Sequence, residues 1–119
     1  MIAAARQRAR RALHRIGLTP AQIEAVSPRI REERRQLDAA RALLEDCRAQ
    51  LRRALGSREP EAASVLELTL QERLLARRER ELLAALETSL AAALRPEQAL
   101  RLRGLPPAAL FDVIARLSG

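Results

Sequence analysis

Side chains that carry chemistry most readily are scarce in this 119-residue chain, whose one histidine and one cysteine are His14 and Cys47. A metal site needs clustered histidine, cysteine or carboxylate ligands at fixed offsets, and no such paired motif is present. Nucleophilic catalysis needs a base beside its nucleophile, and a phosphate cradle needs a glycine-rich loop; neither arrangement can be read here. One aromatic residue, Phe111, and four glycines leave little with which to shape a small-molecule pocket. The expectation is a protein that is not an enzyme and has no cofactor, no metal and no small-molecule substrate. His14 reads as a solvated surface residue. Cys47 reads as a small buried hydrophobe, with a cross-link between two chains as the alternative.

Charge is the next feature with chemical consequences. The formal net charge is +7, and all 22 basic residues are arginine. Residues 1–16, MIAAARQRARRALHRI, hold five arginines and no acid, whereas the remaining 17 arginines face 15 acids. The basic excess is therefore an N-terminal arm, residues 1–17, able to meet phosphates, an anionic membrane surface or an acidic protein. Specific nucleic-acid readout calls for a recognition element, and single-strand binding for stacking aromatics; with neither in view, nucleic acid is not the expected partner. The arm lacks the apolar run of a signal peptide, and no stretch approaches the length of a membrane span.

Leucine and alanine dominate the apolar residues, which favours helix. In the arm, Ile2, Ala5, Ala9, Leu13 and Ile16 recur at three- and four-residue steps, predicting an amphipathic helix that stops near Gly17. The block Leu18-Thr19-Pro20-Ala21-Gln22-Ile23 then matches a helix start. Thr19 is the N-cap, Pro20 occupies the first helical position, Gln22 can reach back to the N-cap amide, and Leu18 can staple onto Ile23. Ser27-Pro28 repeats the start signal, so the helix either kinks or restarts there with Ser27 as cap. Gly56, in the left-handed conformation, is expected to end this helix, with Pro60 in the first turn of the next.

Between these breaks, Ile30, Leu37, Leu44 and Leu51 recur every seven residues, with Ala40, Cys47 and Ala54 at the companion spacing, as in a coiled-coil seam. Beside it runs a row of arginines, Arg34, Arg41 and Arg48. Acids three residues earlier, in the pairs Glu32/Arg35, Asp38/Arg41 and Glu45/Arg48, give small local support, and Glu79 and Glu81 read as a solvated face. Seam and row together form an apolar strip edged with guanidinium forks, a candidate surface for partly unfolded or acidic chains. The second long helix, from Val65 to Leu94, holds ten leucines, more than one partner helix can bury, which predicts contact with a second chain. A final apolar stripe, Leu110, Val113, Ile114 and Leu117 with Phe111 beside it, is expected to dock onto the hairpin.

A second start block, Leu94-Arg95-Pro96-Glu97-Gln98, keeps proline and glutamine at the places of Pro20 and Gln22. Arg95 stands where Thr19 stood and has no acceptor, so this cap is weaker. A Leu-Thr-x-x-Gln block opening a long helical hairpin, followed by a Leu-x-Pro-x-Gln block, resembles the Spy/CpxP family of bacterial envelope-stress proteins, relatives of the metal-linked ZraP and CnrX groups. The matching residues are Leu18, Thr19 and Gln22, then Leu94 and Gln98, and the resemblance covers residues 18–105. It implies an all-α fold, a long antiparallel hairpin with short flanking helices over residues 18–119, assembled as a cradle-shaped homodimer. It implies also an ATP-independent periplasmic chaperone, or a stress regulator, that binds unfolded or partner proteins; the chain would then be a mature or truncated form. The histidine ligands of the metal-linked groups are absent from this sequence. Two other readings remain: a cytoplasmic coiled-coil-like adaptor with one specific partner, and nucleic-acid or anionic-membrane attachment through the arm.

Overall fold

The computed structural model describes residues 2–117, and these are built from five helices with no strand among them. The helices are α1 (Ile2–Ile16), α2 (Pro20–Leu55), α3 (Ala62–Ala92), α4 (Pro96–Arg103) and α5 (Pro107–Leu117). The side chains of Ile2, Ala5, Ala9 and Phe111 lie outside the described ones, so their expected places in the apolar stripes are not assigned. The two long helices α2 and α3 pack together as a helical hairpin. By contact density the chain forms two compact units: the first is Met1–Arg34 with Ala85–Gly119, the second Arg35–Ala84. This division cuts across both long helices, whereas Gly17 marks the boundary of an element.

In the first unit, α1 ends where its glycine predicts. Gly17 has φ of +76°, the left-handed conformation that closes a helix, and its amide donates to the Leu13 carbonyl at 2.9 Å. Ala12 and Ile16 are buried, and α1 packs against α5 and α4. The buried stripe of α5, formed by Leu110, Val113, Ile114 and Leu117, belongs to a helix that packs against the N-terminal helix α1. Arg8 fixes that pairing with an ion pair to Asp112 at 2.8 Å, and Arg34 of α2 donates to the Ala115 carbonyl at 3.4 Å.

Helix α2 runs without interruption through Pro28. Proline supplies no amide for the carbonyl four residues earlier, and Ser27 does not cap a new helix. Its hydroxyl instead turns back to the Ile23 carbonyl at 2.6 Å, so the expected restart does not occur. The helix ends at Leu55 by a different device from the one expected. Gly17 is the only described glycine with positive φ, so Gly56 is not left-handed. The end closes through Gly56 N–H to Arg52 at 3.0 Å and a tighter Ser57 N–H to Ala54 at 3.4 Å. Pro60 precedes α3 instead of opening it, and the Glu61 carbonyl accepts the amide of Val65 at 3.0 Å.

In the second unit, the α2 and α3 segments pair in opposite directions. Arg41 meets Glu79 and Arg48 meets Glu72, each at 3.2 Å, while the Cys47 thiol donates to the Leu68 carbonyl at 3.4 Å. Leu37, Ala40, Leu44 and Cys47 from α2 and Leu82 from α3 are buried. No helix among the described residues is long and apolar enough to cross a membrane.

Candidate functional site

The two start blocks, far apart in the chain, meet inside the first unit. At the head of α2 the expected reciprocal cap is formed: the Thr19 amide donates to Gln22 Oε1 at 3.0 Å, and the Gln22 amide to Thr19 Oγ1 at 3.2 Å. At the head of α4 only half of it survives. The Arg95 amide donates to Gln98 Oε1 at 3.0 Å, but the Arg95 guanidinium has no lone pair to offer and pairs instead with Glu97 at 3.3 Å. Leu18, Ile23 and Leu94 are half-buried, and Pro96 is exposed.

The two glutamines then bond to each other. Gln22 Nε2 donates to Gln98 Oε1 at 2.9 Å, and Gln98 Nε2 donates to Gln22 Oε1 at 3.3 Å. Gln98 Nε2 also reaches the Gly17 carbonyl at 2.7 Å, and Gln22 Nε2 the Ala93 carbonyl at 3.4 Å. Each amide oxygen accepts two bonds and each amide nitrogen donates two, which accounts for why Gln98 can be buried at 1% exposure. Arg101 adds a donor to the Arg15 carbonyl at 3.2 Å, so the last turn of α1 is held from α4. Removing one side of such a network strands buried partners at about 1–3 kcal/mol each. Position makes this a structural lock, with no nucleophile or titrating group in it.

The seam residues proposed from sequence as a protein-binding strip are placed inside the chain. Ile30, Leu37 and Leu44 are buried and Leu51 is half-buried, so a second chain reaches them only where the helices part. The arginine row is likewise engaged: Arg34 on the Ala115 carbonyl, Arg41 on Glu79, Arg48 on Glu72. Glu79 is thus half-buried against an arginine rather than part of a solvated face, while Glu81 is exposed and pairs with Arg77 at 3.2 Å on its own helix. The sequence does contain a trace of this register, because Glu72 and Glu79 are seven apart, as are Arg48 and Arg41.

What faces outward in the second unit is a set of leucines. On α3, Leu66, Leu70 and Leu74 are 61%, 50% and 67% exposed, and on α2 Leu43 is 57% exposed. Leu43 and Leu74 border an open groove floored by Cys47 and Leu75, with Asp46, Gln50 and Gln71 at its polar edges. The excess of leucines in α3 was legible, but not which of them stay uncovered. A second groove, in the first unit, is lined by Ala25, Ala92 and Ala93 with Arg29 and Ser89. Close to it Ser89 donates to Glu33 Oε1 at 2.6 Å and Arg29 pairs with the same oxygen at 3.1 Å, while Glu33 Oε2 is buried with no hydrogen-bond partner.

His14 is exposed and Cys47 is buried, as the sequence suggests. A thiol under the hairpin cannot cross-link two chains while the unit stays closed. Among the described residues no group of three or more histidines, cysteines or carboxylates could hold a metal ion. Comparison with family models, with curated proteins and with solved structures gives no match to this chain.

Proposed function

We propose that this chain is a non-catalytic, ATP-independent polypeptide-binding protein of the Spy/CpxP kind, a holdase or stress-regulatory binder working in the periplasm as a cradle-shaped dimer. The observation that carries the reading is the exposed leucine groove of the second unit, bordered by Leu43 and Leu74 and edged by Gln50 and Gln71. Soluble chains bury contiguous leucines unless something binds there. An open apolar groove with amide edges suits extended or partly unfolded segments, because it offers burial and hydrogen bonds without a fixed shape. Arginines exposed on the same helix, among them Arg73 and Arg80, attract acidic segments and raise encounter rates. The meeting of Gln22 with Gln98 supports the family likeness, since it gives the two matching blocks one shared task.

The test is suppression of aggregation of a chemically unfolded model protein, without ATP, by the full chain and by Leu43→Ser. Suppression near equimolar ratio, reduced several-fold in the variant, supports the reading. A folded chain with no effect sinks it and favours the second reading, an adaptor with one partner, for which the shortness of the groove speaks. Attachment to nucleic acid or an anionic membrane through α1 is the third; Arg6, Arg10 and Arg11 are exposed there.

A further inference from the structure

We infer that the outer face of α3 in the second unit docks onto an anionic phospholipid bilayer, with Leu66 and Leu70 entering the headgroup boundary and Arg73, Arg77 and Arg80 on the phosphates. At 100° per residue, these five side chains fall within an arc of about 80° around the helix. All five are exposed. Ala62 and Ala84, also exposed, share the arc, and no acid in the α3 part of the second unit does. The arc changes character along its length: leucines occupy its first half and arginines its second, over a rise of about 21 Å from Leu66 to Arg80. Leu70, Arg73, Arg77 and Arg80 border one open hollow, so the two halves are continuous.

The cations of this face are what the hairpin's own pairing leaves over. Glu72 and Glu79 of α3 are held from α2 by Arg48 and Arg41 at 3.2 Å, and Glu81, at the edge of the arc, is taken by Arg77. Arg73 and Arg80 have no ion pair among the described residues. Seven residues apart, they stand about 10 Å from each other along the axis, a spacing that suits a surface of repeated phosphates better than one small anion. Their stems can lie along apolar surface while the guanidinium forks reach headgroups. A second copy would offer this face the same cations, and nucleic acid would leave Leu66 and Leu70 without apolar cover. An anionic bilayer answers both halves at once. This goes beyond the polypeptide-binding reading and stands without it, because Gln71 and Leu75 of the groove lie about 140° or more around α3 from the middle of the arc. Two leucines and three arginines make a small contact, so attachment is reversible and weakens with salt.

The experiment is co-sedimentation of the full chain, without any client, with vesicles of phosphatidylcholine alone and of phosphatidylcholine and phosphatidylglycerol in equal parts. The chains compared are the natural sequence, Leu66→Ser/Leu70→Ser, Arg73→Gln/Arg80→Gln and, on α1, Arg6→Gln/Arg10→Gln/Arg11→Gln, with helicity checked by circular dichroism. All substituted positions are exposed on helices, so the variants fold. The expected result is binding to the anionic vesicles alone, weakened about tenfold by each α3 variant and less than about twofold by the α1 variant. No sedimentation with anionic vesicles, equal binding to neutral ones, or full binding by both α3 variants overturns the inference. Binding lost in the α1 variant and kept in the α3 variants overturns it too, and assigns attachment to the N-terminal helix. Vesicle binding is read without client and holding without vesicles, so a chain that suppresses aggregation but ignores vesicles defeats this inference alone, and the reverse defeats the holding function alone.

Discussion

The two units of the chain solve the same problem, covering helices that are too apolar for water, by opposite means. The first carries 12 arginines against 6 acids and closes its apolar faces with short helices, pinned by a buried amide pair. The second carries 10 arginines against 9 acids, has only the two long helices to cover one another, and leaves five leucines in the open, Leu43, Leu55, Leu66, Leu70 and Leu74. A two-helix layer has one buried stripe per helix, so any leucine beyond that stripe must face solvent or a partner. Added short helices reduce that excess in the first unit, where Leu100 of α4 is the exposed leucine among the described residues. Exposure is therefore concentrated where no third helix is supplied, and binding is expected there.

Substitutions can break this contrast or sharpen it. The largest effect is expected from Leu44→Ala, which opens a cavity in the fully buried seam of the second unit and should cost about 3 kcal/mol by urea denaturation. Next comes Gln98→Leu, which strands the Gly17 carbonyl, the Arg95 amide and the side-chain amide of Gln22. A loss of about 2 kcal/mol is expected, with faster amide hydrogen exchange in α4 and the end of α1 but unchanged exchange over residues 38–80. Equal acceleration in both units would show that the lock supports the whole chain and would erase the contrast. Gly17→Ala should cost about 1 kcal/mol, because the left-handed backbone persists while the space around an added Cβ is adequate, its nearest neighbours lying 3.9 Å away. The smallest effect belongs to Arg48→Gln. Its ion pair to Glu72 is nearly half exposed and screened, so thermal denaturation should shift by no more than about 0.5 kcal/mol, and less at high salt.

What was legible in the sequence follows the range of the interaction. The all-helical fold, the seven-residue seam, the cap at Thr19 and the stop at Gly17 depend on neighbours within a turn or two, and they were readable. Of the two outcomes expected at Ser27-Pro28, a kink or a restart, the restart is absent because the proline's penalty can be borne inside a long helix whose other bonds and packing persist. Gly56 marks the end of α2 as expected but without the left-handed conformation, because a helix end can close through a tight turn. The partners of Arg41 and Arg48 needed the register between two helices, and the bond between Gln22 and Gln98 needed a whole fold. In the candidate binding surface, the leucine surplus was visible as composition. Its assignment to Leu43, Leu66, Leu70 and Leu74 was not, because burial is decided by which helix lies opposite.

The lone thiol offers a use of its own. Cys47 lies beneath the second unit with its sulfur turned to the Leu68 carbonyl, and no other cysteine competes for a reagent. The thiol also lines the groove between Leu43 and Leu74 while being only 5% exposed, so alkylation of the natural chain is a clock for the widening of that groove. Its rate counts openings one molecule at a time, with no label introduced, and a ligand that clamps the hairpin would slow that clock while one that wedges it apart would quicken it.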